Sequence, residues 1–124
     1  MKKYITGDLL HYKIGNTKYL IEVTNTSKHG YCFKGVKDDF NGVICDEFIE
    51  DIPLTPEILE KNGWKKDKDG YFNDSYHIRL CESSTNYAAY KVVNKSIVWL
   101  RAVENVPDLQ HLLFGLDISL KIEV

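Results

Sequence analysis

The sequence is poor in the residue patterns that usually reveal a chemistry. Its 124 residues include four histidines and only three cysteines, Cys32, Cys45 and Cys81, without a C-x-x-C spacing. It also lacks the G-x-x-x-x-G-K, G-x-S-x-G and H-E-x-x-H patterns of nucleotide, hydrolase and zinc-protease sites. We therefore predict a protein that is not an enzyme and has no catalytic residue, no metal site and no cofactor.

The chain also lacks an excess of charge of either sign and a long apolar run. Sixteen basic and eighteen acidic residues give a net charge of -2, which argues against nucleic acid as a partner. No apolar run approaches the roughly 20 residues that cross a bilayer, and no apolar segment follows Lys2 and Lys3 as in a secretion signal. An odd cysteine count favours a reducing compartment, although Cys32 and Cys45 could still be adjacent. These features predict a cytoplasmic protein with no membrane contact.

What the sequence does have is an aromatic content of 12% and a hydrophobic content of 44%, which are typical of a folded domain. Residues 7–52 show short apolar stretches separated by turn pairs such as Gly15-Asn16 and Asn41-Gly42. Four or five short strands at this spacing predict a small SH3-like bent sheet or barrel.

The segment from Pro53 to Trp64 predicts a short central helix, with Thr55 as its N-cap, Pro56 at its first position and Asn62-Gly63 at its end. The following pattern predicts an antiparallel meander and then a second helix that begins near Asn105 or Val106. A C-terminal strand is predicted over residues 118–124 from alternating apolar residues. The fold class is therefore α+β, in a single compact domain with lobes at 1–52 and 53–124.

Two pairs of polar residues are candidate binding residues. His77 and Arg79 alternate with apolar neighbours and would share one strand face with Cys81, where the three could form an anion-binding or nucleophilic row. A solvated strand face explains the pattern equally well. Gln110 and His111 lie beside the apolar stripe of the second helix, where they could contact a ligand or a partner, or form a surface pair.

The aromatic residues of the first lobe are a further candidate binding surface. Small barrels bind peptides or single-stranded nucleic acid through exposed rings beside basic groups, whereas packing of the rings in the core is the alternative. Acidic residues around Asp38 and Glu50 oppose a nucleic-acid groove. The rings are Tyr4, Tyr12, Tyr19, Tyr31, Phe33, Phe40 and Phe48, and the basic residues are Lys13, Lys18, Lys28, Lys34 and Lys37.

Two segments carry a family resemblance: Leu54-Thr55-Pro56-Glu57-Ile58-Leu59-Glu60-Lys61-Asn62-Gly63-Trp64 and Asp108-Leu109-Gln110-His111-Leu112-Leu113-Phe114-Gly115-Leu116. Both resemble an uncharacterised family of small proteins from gut Bacteroidales and their phages. This chain departs from the family pattern at Ala102–Pro107, where the usual members have a histidine leading into the second helix. The resemblance implies a phage or mobile-element setting and no reaction.

Three functions are compatible with this sequence. The leading hypothesis is a non-enzymatic interaction protein that binds a protein partner or forms a homo-oligomer. It rests on abundant aromatics, on the lack of catalytic motifs and on the alternating C-terminal strand, which could pair at a sheet edge. The first alternative is a counter-defence protein that sequesters a small ligand or nucleotide. The second is a barrel that binds single-stranded nucleic acid.

Overall fold

A computed structural model describes residues 4–27, 30–44, 46–119 and 121–124. The expectations that involve Lys28, Cys45 and Leu120 therefore concern residues outside the described part of the chain. The chain divides into two compact units, Met1–Ile52 and Pro53–Val124. Each unit contains one antiparallel sheet and the second also contains two helices, so the predicted α+β class is confirmed.

Unit 1 is a five-stranded sheet in which the last strand returns beside the first. The order is β4-β3-β2-β1-β5, so β1 to β4 are sequential neighbours and β5 pairs with β1. A 3₁₀ turn at Asp46–Phe48 lies between β4 and β5. The strands are β1 (Leu9–Ile14), β2 (Thr17–Ser27), β3 (Gly30–Gly35), β4 (Asn41–Ile44) and β5 (Ile49–Asp51).

The core of unit 1 lies on one face of this sheet. Register places Leu10 opposite Ile21, and Val23 opposite Phe33, and directly opposed residues project to the same side. The register shifts between Val23 and Asn25, which bends the long β2 strand. The buried cluster consists of Tyr4, Leu10, Ile21, Val23, Phe33 and Ile44.

Unit 2 begins with the predicted short helix, α1 (Pro56–Lys61). The hydroxyl of Thr55 accepts a hydrogen bond from the Ile58 N–H at 3.3 Å, as an N-cap requires. Asn62 is the C-cap, and Gly63 follows with a φ of 87°. The predicted caps and stop signals of α1 are therefore confirmed.

The predicted meander is also confirmed. Its order, β10-β9-β8-β7-β6, joins only sequential strands, so β6 and β10 are the two edges. Asn94 and Lys95, both with positive φ, form the two-residue turn between the last two strands. The strands are β6 (Lys65–Asp67), β7 (Gly70–Asn73), β8 (Ile78–Glu82), β9 (Tyr87–Val93) and β10 (Ser96–Val103).

The second helix, α2 (Val106–Gly115), begins at the predicted cap. The Asn105 side chain accepts from the Asp108 N–H at 2.9 Å, and Asp108 in turn accepts from the Glu104 N–H at 2.9 Å. Arg101 donates to the second oxygen of Asp108 at 3.1 Å, which ties the end of β10 to the start of α2. Leu109, Leu112 and Leu113 of the predicted stripe are buried. The described residues include no helix that is both long enough and apolar enough for a membrane crossing.

The predicted C-terminal strand is wrong for the described residues of 118–124, none of which lies in a strand. The Asn62 side chain instead holds this segment, because its amide donates to the Glu123 carbonyl at 2.7 Å and accepts from the Glu123 N–H at 2.7 Å. Ile122 is buried at 3% exposure. Lys61 also donates to the Val124 carbonyl at 3.3 Å, so side chains and not a neighbouring strand hold the described end of the tail.

Candidate functional site

His77 is not part of the strand face that its spacing predicts. Strand β8 begins at Ile78, and His77 lies in the preceding turn, exposed and with a φ of 54°. Its carbonyl accepts from the Val92 N–H at 2.8 Å, so the backbone of His77 is held by β9. The interpretation of a His77–Arg79–Cys81 row is therefore wrong at its first member, because the turn takes His77 out of the alternation.

Arg79 lies on β8 and is already paired. Its Nη1 donates to Oδ2 of Asp67 at 2.6 Å, and its Cζ lies 5.1 Å from the centre of the Phe72 ring. The hydrogen bond from Arg79 is the main reason that the pKa of Asp67 is below its usual value. The Asp67 carboxylate and the Phe72 ring therefore orient the Arg79 guanidinium.

The other candidate residues lie on separate elements. Gln110 and His111 are consecutive, half-buried residues of α2. Cys81 is a half-buried free thiol on β8, opposite Ala88. Among the described residues, no group of three His, Cys, Asp or Glu side chains could hold a metal ion. The binding roles of His77, Arg79, Gln110 and His111 stay predictions.

The sheet of unit 2 has one buried face and one open face. Tyr71, Leu80 and Ala89 are directly opposed in adjacent strands, and each is 0% exposed. The neighbouring set of opposed residues projects to the other side and stays half-buried or exposed. We call this set the cross-strand row; its members, from β6 to β10, are Lys65, Phe72, Arg79, Tyr90 and Trp99.

The cross-strand row alternates aromatic rings with cations at its β6 side and ends in two aromatic rings at its β10 side. Trp99, the last member, is 60% exposed, which is unusual for so large an apolar side chain. The row therefore presents rings and cations on the open face, with Tyr90 and Trp99 at the β10 edge of the sheet.

Strand β10 is an apolar edge. Ile97, Val98 and Trp99 are 64%, 51% and 60% exposed, on both faces of the strand. Residues 96–100 contain no charged side chain. The register shifts between Trp99 and Arg101, so a bulge ends this uncharged segment of β10 (residues 96–100).

Sequence reasoning missed Trp99 and Ile97 as functional candidates. The available signal is the unbroken run Ile97-Val98-Trp99-Leu100 in a stretch otherwise predicted as a strand. A half-buried strand alternates apolar and polar residues, whereas this run is apolar at successive positions, so apolar side chains project from both faces of the strand.

The aromatic residues of unit 1 pack mostly on one another. Tyr12, Tyr19, Phe40 and Phe33 form a closed cycle of four ring contacts, with centroids 5.5 to 6.4 Å apart. Phe33 and Tyr4 are buried, and the other three cycle members pack against the buried cluster. Phe48 alone of the predicted set is largely exposed, at 47%.

Three of the lysines near these rings pair with carboxylates and project from the other face of the sheet. Strand alternation places Lys13 and Lys18 opposite to Tyr12 and Tyr19. Both amines bind the Glu50 carboxylate, at 3.3 and 3.1 Å, and chiefly the hydrogen bond from Lys18 lowers the Glu50 pKa. Lys34 lies 3.8 Å from Glu22. For these three lysines the described geometry therefore separates the cations from the rings of unit 1, and nucleic-acid binding stays a prediction.

Compared with known protein families, curated proteins and solved structures, the chain shows no match.

Proposed function

We propose that this protein is a non-enzymatic interaction module that binds an extended protein segment, from a partner or from a second copy, along strand β10. The observation that carries the proposal is the exposed and uncharged segment of β10 at the edge of the unit 2 sheet. Edge strands present unpaired backbone N–H and C=O groups, and proteins that stay monomeric usually protect them.

The other three sheet edges are protected in the usual ways. Strand β4 has four residues and β5 has three, two of them acidic. Strand β6 has three residues, all charged. Short length and charge both discourage pairing, whereas β10 has eight residues and carries one charge, on Arg101. Arg101 is bound to Asp108. Among the described strands at sheet edges, β10 is therefore the longest, and its one charge is paired.

The open face of the same sheet supplies side-chain recognition. An added strand gains affinity from backbone hydrogen bonds and specificity from the side chains beside it. Trp99 and Tyr90 are adjacent register partners at this edge, and aromatic rings contribute large contact areas at interfaces. The edge and the cross-strand row therefore act as one surface.

Unit 1 is proposed as an SH3-like scaffold. Two observations support this: the meander of β1 to β4 with β5 returning beside β1, and the 3₁₀ turn between β4 and β5. The bent, eleven-residue β2 agrees with a sheet that curves on itself. A phage or mobile-element setting in Bacteroidales belongs to the same proposal. A partner protein is therefore expected in Bacteroidales cells.

Backbone hydrogen exchange at β10 tests the proposal. We expect residues 96–100 to exchange more slowly when the purified protein is concentrated, or when a Bacteroidales cell extract is added to a dilute sample. The matched reference is β6, whose charged edge should exchange equally in every sample. Exchange at β10 that is fast and unchanged in both conditions would overturn the proposed function.

A further inference from the structure

We infer that the segment bound by β10 is the β10 strand of a second copy, paired antiparallel across a two-fold axis at Val98. The inference rests on the proposed function and names its partner. The two sheets would join into one of ten strands, with β10 of each copy at the centre.

Symmetry and charge select this register. Two antiparallel copies of one strand are related by an axis normal to the sheet, so one residue must face itself. The uncharged segment, residues 96–100, is centred on Val98. A centre one residue either way would bring Lys95 or Arg101, which flank the segment, beside the apolar run Ile97–Trp99. The Val98 centre pairs uncharged residues only with each other.

The Val98 centre also gives favourable side-chain pairs. Ile97 then lies opposite Trp99 of the second copy, and Trp99 opposite its Ile97, on the open face. Aromatic and β-branched residues in directly opposed positions stabilise antiparallel pairs by about 0.2–1 kcal/mol each. These two side chains are more than half exposed in one copy, and pairing would cover them both.

The ends of the paired segment are compatible with this register. Lys95 belongs to the turn that precedes β10, and the Arg101 guanidinium is already bound to Asp108 at 3.1 Å, so neither cation is part of the paired segment. The bulge between Trp99 and Arg101 ends the regular ladder at the same place. Pairing would therefore stop where the uncharged segment stops.

Disulfide trapping tests both the pairing and the register. Cysteine is placed at Val98 in the full chain after replacement of Cys32, Cys45 and Cys81 by alanine. Directly opposed residues have Cα atoms about 4.5–5.5 Å apart, within the range of a disulfide. The matched control is Ala102→Cys on the same exposed strand, because the register places two such cysteines far apart.

We expect Val98→Cys to form a covalent dimer under glutathione disulfide at least about tenfold faster than Ala102→Cys, as an effective local concentration requires. Equal rates for the two variants would overturn the inference, since random collision treats both cysteines alike. Circular dichroism of both reduced variants confirms that each is folded.

Light scattering of the unmodified chain gives an independent measure. We expect a mass that rises toward twice 14.3 kDa with concentration, and a monomer mass for Ile97→Lys with an unchanged dichroism spectrum. A monomer at all concentrations, with β10 protected only in cell extract, would overturn self-pairing and leave the interaction module standing. A monomer without protection in extract would overturn both.

Discussion

The two units use the same kind of sheet in opposite ways. Both sheets have five antiparallel strands, but unit 1 returns its last strand beside its first, whereas unit 2 continues as a simple meander. The returning strand leaves short edges, β4 and β5, whereas the meander leaves its own last strand, β10, as a long edge. Strand order, more than composition, thus decides which backbone groups remain open to another chain.

Most aromatic rings of unit 1 are enclosed by other side chains, whereas three rings of unit 2 lie on an open face. In unit 1 four rings close a cycle against the buried cluster, whereas in unit 2 Phe72, Tyr90 and Trp99 are spread along an open face. A ring enclosed by other rings contributes to stability, and a ring that faces water is available to a partner.

The largest expected difference in the free energy of unfolding comes from replacing one aromatic ring in each unit. Phe33→Ala should lower the free energy of unfolding by about 3–5 kcal/mol, because it removes a 5% exposed ring from the four-ring cycle. Trp99→Ala should change it by no more than about 0.5 kcal/mol in dilute solution, because that ring is 60% exposed. Urea unfolding followed by circular dichroism measures both. Equal losses would remove the distinction between enclosed and open rings.

A second comparison concerns the first tight turn of each sheet. Gly70→Ala should cost about 2–4 kcal/mol, because φ is +144° and a Cβ would overlap the Leu80 carbonyl oxygen. Gly15→Ala should cost only about 1 kcal/mol, since its φ of +59° is strained for alanine but the described residues leave the space open. Thermal unfolding of the two variants side by side measures the difference, and a costlier Gly15→Ala would contradict the described packing of β7 on β8.

The third comparison concerns the bonds that hold the last segment of each unit, and its expected change in the free energy of unfolding is smaller. Unit 1 holds β5 by a backbone ladder with β1, whereas unit 2 holds Glu123 by the side chain of Asn62. Asn62→Ala should cost about 1–3 kcal/mol and release the Glu123 amide to rapid hydrogen exchange. Asn62→Asp keeps an acceptor for that amide but sets a carboxylate oxygen against the Ile58 and Glu123 carbonyls, so it should lower the free energy of unfolding at least as much as alanine does. Unchanged exchange at Glu123 in the alanine variant would show that other contacts hold the tail.

The smallest expected effect is the response of a carboxylate pKa to salt, measured for one carboxylate in each unit. Glu50 and Asp67 both titrate below their usual range, so the stability they contribute is present above the unfolded pKa and is lost as pH falls through the folded one. Raising the salt concentration from about 0.01 to about 1 M should raise the pKa of Glu50 more than that of Asp67, because the partners of Glu50 are two exposed lysines. Asp67 also accepts backbone N–H bonds from Asp69 and Gly70, which salt screens little.

Titration of the carboxyl carbons by NMR measures these shifts. Lys18→Gln and Arg79→Gln are the matched controls, and each should raise the pKa of its own carboxylate and leave the other unchanged. A larger salt response at Asp67 than at Glu50 would contradict the assigned causes.

Much of the fold could be predicted from the sequence because its signals are local. Thr55, Asn105 and the Gly15-Asn16 turn act through bonds a few residues long, so their caps and turns were predicted correctly. The tail was mispredicted because its alternation matches a strand, and only the distant Asn62 side chain shows what holds it. His77 was misplaced because no glycine marks its positive φ.

The candidate site could not be predicted because it depends on register. Lys65, Phe72, Arg79, Tyr90 and Trp99 come from five strands, and only the pairing of those strands aligns them. Likewise, Trp99 is informative because β10 is an edge, and the order of strands in a sheet is a non-local property.

The positions of the two indole rings provide a ready optical tool. Trp64 is buried and Trp99 faces water, and both belong to unit 2. Acrylamide in solution should therefore quench the emission of Trp99 and spare that of Trp64. Fluorescence excited selectively in tryptophan would therefore report on the unfolding of unit 2 alone, because the four tyrosines of unit 1 would not be excited.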